Sequence, residues 1–331
     1  MIYYSKRQED KDDMEYIIYI IIGIVLFMIV SGIIAMLIST KPIGEKVYHE
    51  QLVRTGPNKW GRVCSEPSNE EQLSMWNTGI EWAKAHSDIM EEVEVENDGL
   101  KLYGEYYNFG GDSCAIILPG RCESLMYSYY FALPYEKLGM NVLVIDQRAH
   151  GNSEGMYSTI GVKESGDVLK WIELIQNKYG INNVWFHGIC VGTATAILVM
   201  TSKDCPSCVK GLVTEGCFVS FRETFKRHMV DINKPWFPVL DLVMMNVKKY
   251  GKANVYKAAP IRHIAKLRQH ILMIYGKQDI FSVPHKSEIL YNKCKSSTKE
   301  IVWFEKGGHS HLRINNTEEY DKAIINYITG K

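Results

Sequence analysis

From Tyr16 to Thr40 the chain carries no charged side chain over 25 positions, most of them Ile, Val, Leu or Met, and Glu15 and Lys41 flank the run. A helix of that length reaches about 37 Å at about 1.5 Å per residue, more than the ~30 Å hydrocarbon core of a bilayer. Gly23 and Gly32 inside the run do not prevent spanning. A cleaved signal peptide has a shorter apolar core of about 7–15 residues followed by a small-x-small site. Neither is present, so the run predicts an uncleaved single-pass anchor over 16–40, behind a short polar tail at 1–15.

The flanking charges leave the orientation open. Lys6, Arg7 and Lys11 precede the span, and Lys41, Lys46, Arg54 and Lys59 follow it. All eight Cys lie after the span, which leans toward a reducing, cytoplasmic side for the folded part. Lys+Arg and Asp+Glu are equal at 38 each. A chain without net charge lacks the strong basic field of a dedicated nucleic-acid binder, so no nucleic-acid partner is expected.

Residues 41–90 are mixed and polar, with apolar Leu73, Trp76, Ile80, Trp82 and Ala83 near helical spacing within 72–90. They predict a helical neck that covers the following domain. From 91 onward short apolar runs alternate with amphipathic stretches. The segments 92–96 and 100–107 read as an exposed hairpin. The runs at 115–118, 142–145, 184–186, 212–214, 271–275 and 301–304 read as strands covered on both faces. Helical patterns at 168–175 and 318–328 separate some of them. The alternation predicts one α/β domain over 91–331, with a mostly parallel sheet and ligands at the carboxyl ends of its strands.

The residues able to carry chemistry stand at those strand ends. Gly188-Ile189-Cys190-Val191-Gly192 follows a strand and opens a helix of small residues. That is the strand–turn–helix setting of a nucleophile elbow, with Cys in the Ser position. The turn is strained, so small flanking residues are needed, and the helix N-terminus favours a thiolate. A buried, inert Cys190 is the plainer reading of the pentapeptide alone. Asp279 follows the strand 271–275, and His309 follows 301–304 behind Gly307-Gly308. The order nucleophile, acid, base fits a hydrolytic triad, whereas Asp279 as a helix cap and His309 as a loop residue are the alternatives. Pro119-Gly120-Arg121 ends the strand 115–118, where the backbone N–H of Arg121, together with that of Val191, can face a developing oxyanion. The Arg121 side chain is open to an anionic substrate or to solvent.

Residues 92–331 resemble the α/β-hydrolase superfamily, in particular the membrane-linked branch similar to serine aminopeptidase and monoglyceride lipase-like hydrolases. The stretch Val144-Ile145-Asp146-Gln147-Arg148-Ala149-His150-Gly151-Asn152-Ser153-Glu154-Gly155 resembles that branch's loop after the second central strand. Asp146 and His150 belong to that loop and read as structural. Cys190 departs from the branch's usual Ser, as in the dienelactone-hydrolase type, and Pro119-Gly120 replaces its usual His-Gly. The resemblance also implies a helical cap over 217–262, rich here in apolar residues such as Phe218, Phe221, Phe225, Met229, Trp236, Phe237, Leu240, Met244 and Met245. These suit an acyl or aryl substrate and equally suit packing on the core.

The combined expectation is a membrane-anchored hydrolase of ester, thioester or amide-type bonds. It would work through Cys190, His309 and Asp279 by way of an acyl-enzyme, on a small acyl, ester or peptide substrate, without metal or organic cofactor. The alternatives are acyl transfer or thioester cleavage on the same triad, or a silent membrane-tethered binding protein. Cys205-Pro206-Ser207-Cys208 has C-x-x-C spacing but falls between a helix and a strand, where a plain loop is expected. His309-Ser310-His311 lacks companion ligands for a metal.

Overall fold

The computed structural model describes the backbone of residues 2–331 and the side chains of 14–331. Met1 and the side chains of the expected polar tail up to residue 13 lie outside that description. Helix α1, Ile2–Leu52, contains the uncharged run and continues through Pro42. From Met14 it is long and apolar enough to cross a membrane, and the apolar window is not buried against the domain. The helix therefore runs on beyond residue 40, and its last turns belong to the folded body. Tyr48, Leu52 and Val53 are buried there, and Val53 bridges to Tyr157.

Helix α2, Glu70–Ala85, is capped by Asn69, whose side chain accepts from the Gln72 N–H. It ends before residue 90 because the chain turns at 86–89 and enters strand β1, Met90–Asn97. Met75 joins the core beneath it, and Trp82 packs against Tyr107 and donates to Glu136. The neck thus covers the sheet directly.

Eight strands form one sheet. After β1 come β2 Leu100–Tyr107, β3 Ser113–Leu118, β4 Asn141–Ile145, β5 Asn183–Ile189, β6 Val209–Glu215, β7 His270–Gly276 and β8 Lys299–Phe304. Their spatial order is β1-β2-β4-β3-β5-β6-β7-β8. The first two pairings are antiparallel and the rest parallel. The expectation of an exposed hairpin needs correction for β2, which is buried from Leu102 to Tyr107. It pairs on both edges, with β1 and β4, and Trp171 lies against Gly104.

The helices lie on both faces. Helix α3, Glu164–Tyr179, and helix α4, Val191–Met200, bury Val168, Trp171, Ile172, Ile197 and Val199 on one side. On that side too lies α7, Pro284–Lys293, the seventh of the helices with ten or more residues, through Leu290. On the other side α2 and the C-terminal α8, Thr317–Thr329, bury Met75, Tyr320 and Ile324. Between β6 and β7 the cap forms helices α5, Phe221–Asp231, and α6, Val239–Tyr250. A third apolar cluster joins this cap to the end of α1, uniting Phe221, Phe225, Leu240, Val243 and Val247 with Tyr48 and Leu52.

Candidate active site

The strand ends of β3, β5, β7 and β8 converge on one cavity of about 550 Å³, lined by Arg121, Cys190, Val191 and His309 among others. Cys190 sits between β5 and α4 with φ 50° and ψ −104°. That backbone conformation is rare for a residue with a side chain and costs of order 1–3 kcal/mol. The surrounding glycines explain how it is held. A Cβ on Gly192 would lie 2.0 Å from the Leu118 carbonyl oxygen, and one on Gly188 2.6 Å from the Thr193 backbone. Only Gly permits β5, β3 and α4 to close so tightly around the turn. The Cys190 N–H donates to the Glu215 carbonyl at 2.9 Å, which fixes the turn to β6.

His309 Nδ1 lies 2.8 Å from Asp279 Oδ2. The Asp279 carboxylate is nearly inaccessible, with 1% of its side chain exposed. It also accepts the N–H groups of Phe281 and Ser282 at 2.7 and 2.8 Å. Burial alone would raise its pKa, but the His309 charge and these hydrogen bonds outweigh burial and hold it below the usual value. For His309 burial acts to lower the pKa, and the neighbouring Cys190 and Asp279 outweigh it, leaving the imidazole well above its ordinary value. Cys190 lines the same cavity as that imidazole and is one of the two groups that raise its pKa. The structure thus brings Cys190 and His309 to one cavity and pairs His309 with Asp279.

Val191 is the first residue of α4, and Arg121 lies in the turn after β3. Among the described residues neither backbone N–H donates to a protein acceptor, and both residues line the cavity. The Arg121 side chain departs from both expectations for it. Its Nη1 donates to Gln51 Oε1 at 3.0 Å, tying the rim to the last turn of α1.

Asp146 and His150 are structural, as read. Asp146 accepts from Arg62, from the Leu125 N–H and from the Asn152 N–H. His150 is buried under Trp60, and its Nδ1 faces the Arg148 carbonyl. His311 turns to Gln72 and Glu71 at the base of α2. Cys205 and Cys208 are unbonded in the loop between α4 and β6. Of the apolar cap residues, Phe218, Phe221 and Phe225 line the cavity, whereas Leu240 and Met244 are core, and Phe237 and Met245 are exposed outward.

Several residues at the site had no signal in the sequence. Glu123 accepts the Gly120 N–H at 2.7 Å and shapes the turn carrying Arg121. Burial pushes its carboxyl up to about 7. Gly216, at φ 64°, leaves room for the imidazole, because a Cβ there would meet His309 at 2.9 Å. Ser282 ties its Oγ to the Gly216 carbonyl. Glu50, Gln51, Ser65, Glu66 and Gln72 bring the neck to the cavity wall. A half-buried glutamate three residues after Gly120 has no pattern of its own, and the neck reaches the site only through long-range packing.

No family model matches the chain. It is 28% identical over 208 residues to the uncharacterized protein YqkD of Bacillus subtilis, covering 62% of this chain and 66% of that protein, just under two thirds of its length. It is 25% identical over 228 residues to the uncharacterized membrane protein YNL320W of Saccharomyces cerevisiae, covering 67% of this chain and 74% of that protein. Among solved structures it superimposes on the Pyrococcus furiosus esterase Pf2001 with a TM-score of 0.62 at 21% identity, over 75% of this chain and 93% of that one. An alpha-beta hydrolase from Vibrio vulnificus superimposes with a TM-score of 0.56 at 19% identity, over 76% and 86% of the two chains. The chain has the α/β-hydrolase fold. In an α/β hydrolase the parallel strands end at one crevice, and here that crevice holds Cys190, His309 and Asp279.

Proposed function

We propose that the protein is a membrane-anchored hydrolase that cleaves activated acyl bonds through Cys190, His309 and Asp279. The observation that carries the reading is the His309–Asp279 contact at 2.8 Å beside a Cys190 held in a strained turn at a cavity wall. A buried structural cysteine needs neither the strain nor the imidazole. Membrane attachment is supported by the apolar stretch of α1 and by the description of the yeast relative as a membrane protein.

The chemistry follows from the geometry. His309 takes the thiol proton, and the sulfur attacks the acyl carbon. The carbonyl electron pair moves onto oxygen, where the N–H groups of Arg121 and Val191 receive it. His309 then returns the proton to the leaving group as the acyl–heteroatom bond breaks, giving a thioester on Cys190. Water, deprotonated by His309, attacks that thioester, and the thiolate leaves. Asp279 holds the ring and stabilises its charged form throughout.

The sulfur also sets a preference. A thiolate leaves a tetrahedral adduct more readily than an alkoxide or an amide nitrogen does. The first adduct therefore collapses forward only when the leaving group is comparably good. Thioesters, aryl esters and strained lactones meet that condition, while unactivated amides revert. The expected outcome is turnover of short p-nitrophenyl esters by the full-length protein in detergent, lost in Cys190→Ala along with iodoacetamide labelling at that position. Unchanged rates in that variant would remove Cys190 from the reaction.

A further inference from the structure

The C-terminal part of α1 packs on the cap along one stripe, and that stripe begins inside the uncharged run. Met36 and Thr40 are the partly covered residues between Met14 and Thr40, and Gly44 and Tyr48 continue the same four-residue spacing as buried positions. The partner of the stripe is α6. A Cβ on Gly44 would meet Leu242 at 2.7 Å, and the Tyr48 ring stacks on Tyr250 at 5.6 Å. Moving along α6 from Tyr250 to Leu242 therefore approaches the bilayer. Gly44 stands about 6 Å beyond Thr40 at about 1.5 Å per residue. The turn 236–238, which precedes α6, lies further toward the membrane than Leu242.

That turn is apolar, with Trp236 half-buried, Pro238 buried and Phe237 57% exposed at its apex. Four of the ten exposed large apolar side chains that follow Lys41 are Ile43, Val230, Ile232 and Phe237, on α1 or in the stretch from the end of α5 to this turn. Exposed apolar side chains gathered in this way mark a surface that meets a partner. The fringe is basic. Lys226 stands 3.8 Å over the Trp236 ring, Lys234 is exposed beside it, and Lys41 follows the span. Aromatic rings ringed by lysines suit the boundary between lipid tails and anionic headgroups.

We propose that the Trp236–Pro238 turn docks into the bilayer beside the span, so that the Cys190 cavity takes lipophilic acyl substrates directly from the membrane. The proposal rests on the anchor and on the acyl-hydrolase reading. The cavity wall supports the second half. Glu50 and Gln51, in the last turn of α1, line it together with Phe221, Phe225 and His228 of α5. Glu50 is ten residues past Thr40, so the wall stands about 15 Å from the edge of the hydrocarbon. An acyl chain can enter this site with its tail still in the bilayer.

The test uses the full-length protein in vesicles of phosphatidylcholine and phosphatidylglycerol. Flotation reports the anchor, and replacement of the lipid by lipid brominated along the acyl chain reports the cap through tryptophan quenching. The expected result is flotation of the wild type and quenching that drops in Trp236→Phe. A wild type that floats but is quenched equally with and without Trp236 overturns the docking and leaves the anchor standing. A wild type that stays at the bottom of the gradient overturns both. In the second arm Phe237→Asp is expected to lose at least tenfold in turnover of a long-chain thioester held in the vesicles. Turnover of a short soluble p-nitrophenyl ester stays within twofold. An equal loss on both substrates, or none on the vesicle-held one, overturns the delivery of substrate from the membrane. Absence of turnover on either substrate by the wild type sinks the hydrolase reading, and with it the delivery, while the quenching arm still decides the docking.

Discussion

Asp279 shows what one buried carboxylate does at this site. It meets His309 on one oxygen and two backbone N–H groups on the other. Asp279→Asn keeps the shape but removes the charge that fixes the imidazole. The expected loss in kcat is about 10³–10⁴-fold, in line with the effect of the same change in a serine-protease triad. The His309 titration, followed by NMR, should move down in the same variant. The pH dependence of stability has a definite sign. The His309 pKa is raised on folding, so its stabilisation is fully present below about 6.5 and is lost as pH rises through the folded value. The Tm gap between wild type and His309→Gln should therefore narrow as pH increases above that point. The Asp279 pKa is depressed, so its contribution is present above the unfolded value and disappears as acid brings pH down through the folded one. Gly192→Ala tests the elbow itself. The new methyl would meet the Leu118 carbonyl oxygen at 2.0 Å, a backbone atom that cannot step aside. Overpacking of this kind typically costs about 1–3 kcal/mol, and a contact so short belongs at or above the top of that range. A thermal melt of the variant checks it.

Among the elements, the loop between α1 and α2 carries more than its irregular shape suggests. Arg62 reaches from it to Asp146 at 3.1 Å and Glu105 at 3.3 Å. Asp146 is fully buried, and Glu105 also accepts from Tyr107 and Tyr129. Arg62→Ala leaves two buried carboxylates without their cation. Breaking a buried pair from one side costs about 3–5 kcal/mol, so the midpoint of denaturant unfolding should fall accordingly. Arg62→Lys should recover only part, because a point charge cannot serve both carboxylates as the guanidinium fork does. The neck therefore ties β2 to the end of β4, beyond the covering role that its helical spacing predicts.

On the scale of the whole chain, the long apolar helix α1 and the folded domain share residues. Tyr48 and Leu52 belong both to α1 and to the cap cluster. Two truncations should separate these roles. A chain starting at Lys41 keeps the stripe from Gly44 onward, and is expected to remain folded and to retain turnover of soluble esters. A chain starting at Thr55 loses Tyr48, Leu52 and Gln51. Removing one large apolar side chain from a core costs about 2–5 kcal/mol, so the shorter chain should melt at markedly lower temperature and lose activity. Near-UV circular dichroism and ester turnover on both proteins decide the point.

The parts that the sequence by itself determined are those with a local physical signature. Twenty-five uncharged residues announce a helix long and apolar enough to cross a membrane, and continuous β-branched runs announce buried strands. Gly188 and Gly192 announce a strained turn because no other residue fits there. Chain order then placed Asp279 and His309 after their strands. Only the tertiary structure decided the rest. Gly216 and Ser282 act through neighbours far along the chain, Glu123 folds back on the Gly120 N–H three residues away, and nothing in their own surroundings marks them. Strand β2 looked half-exposed because alternation within a strand does not reveal that both of its faces are covered, Leu102 and Tyr106 in one apolar cluster and Tyr103 and Tyr107 in the other. The placement of α1 against α6 depends on a glycine meeting a leucine 198 positions away, the difference between 242 and 44. Such contacts exist only once the sheet has closed and brought the cap back over the end of α1.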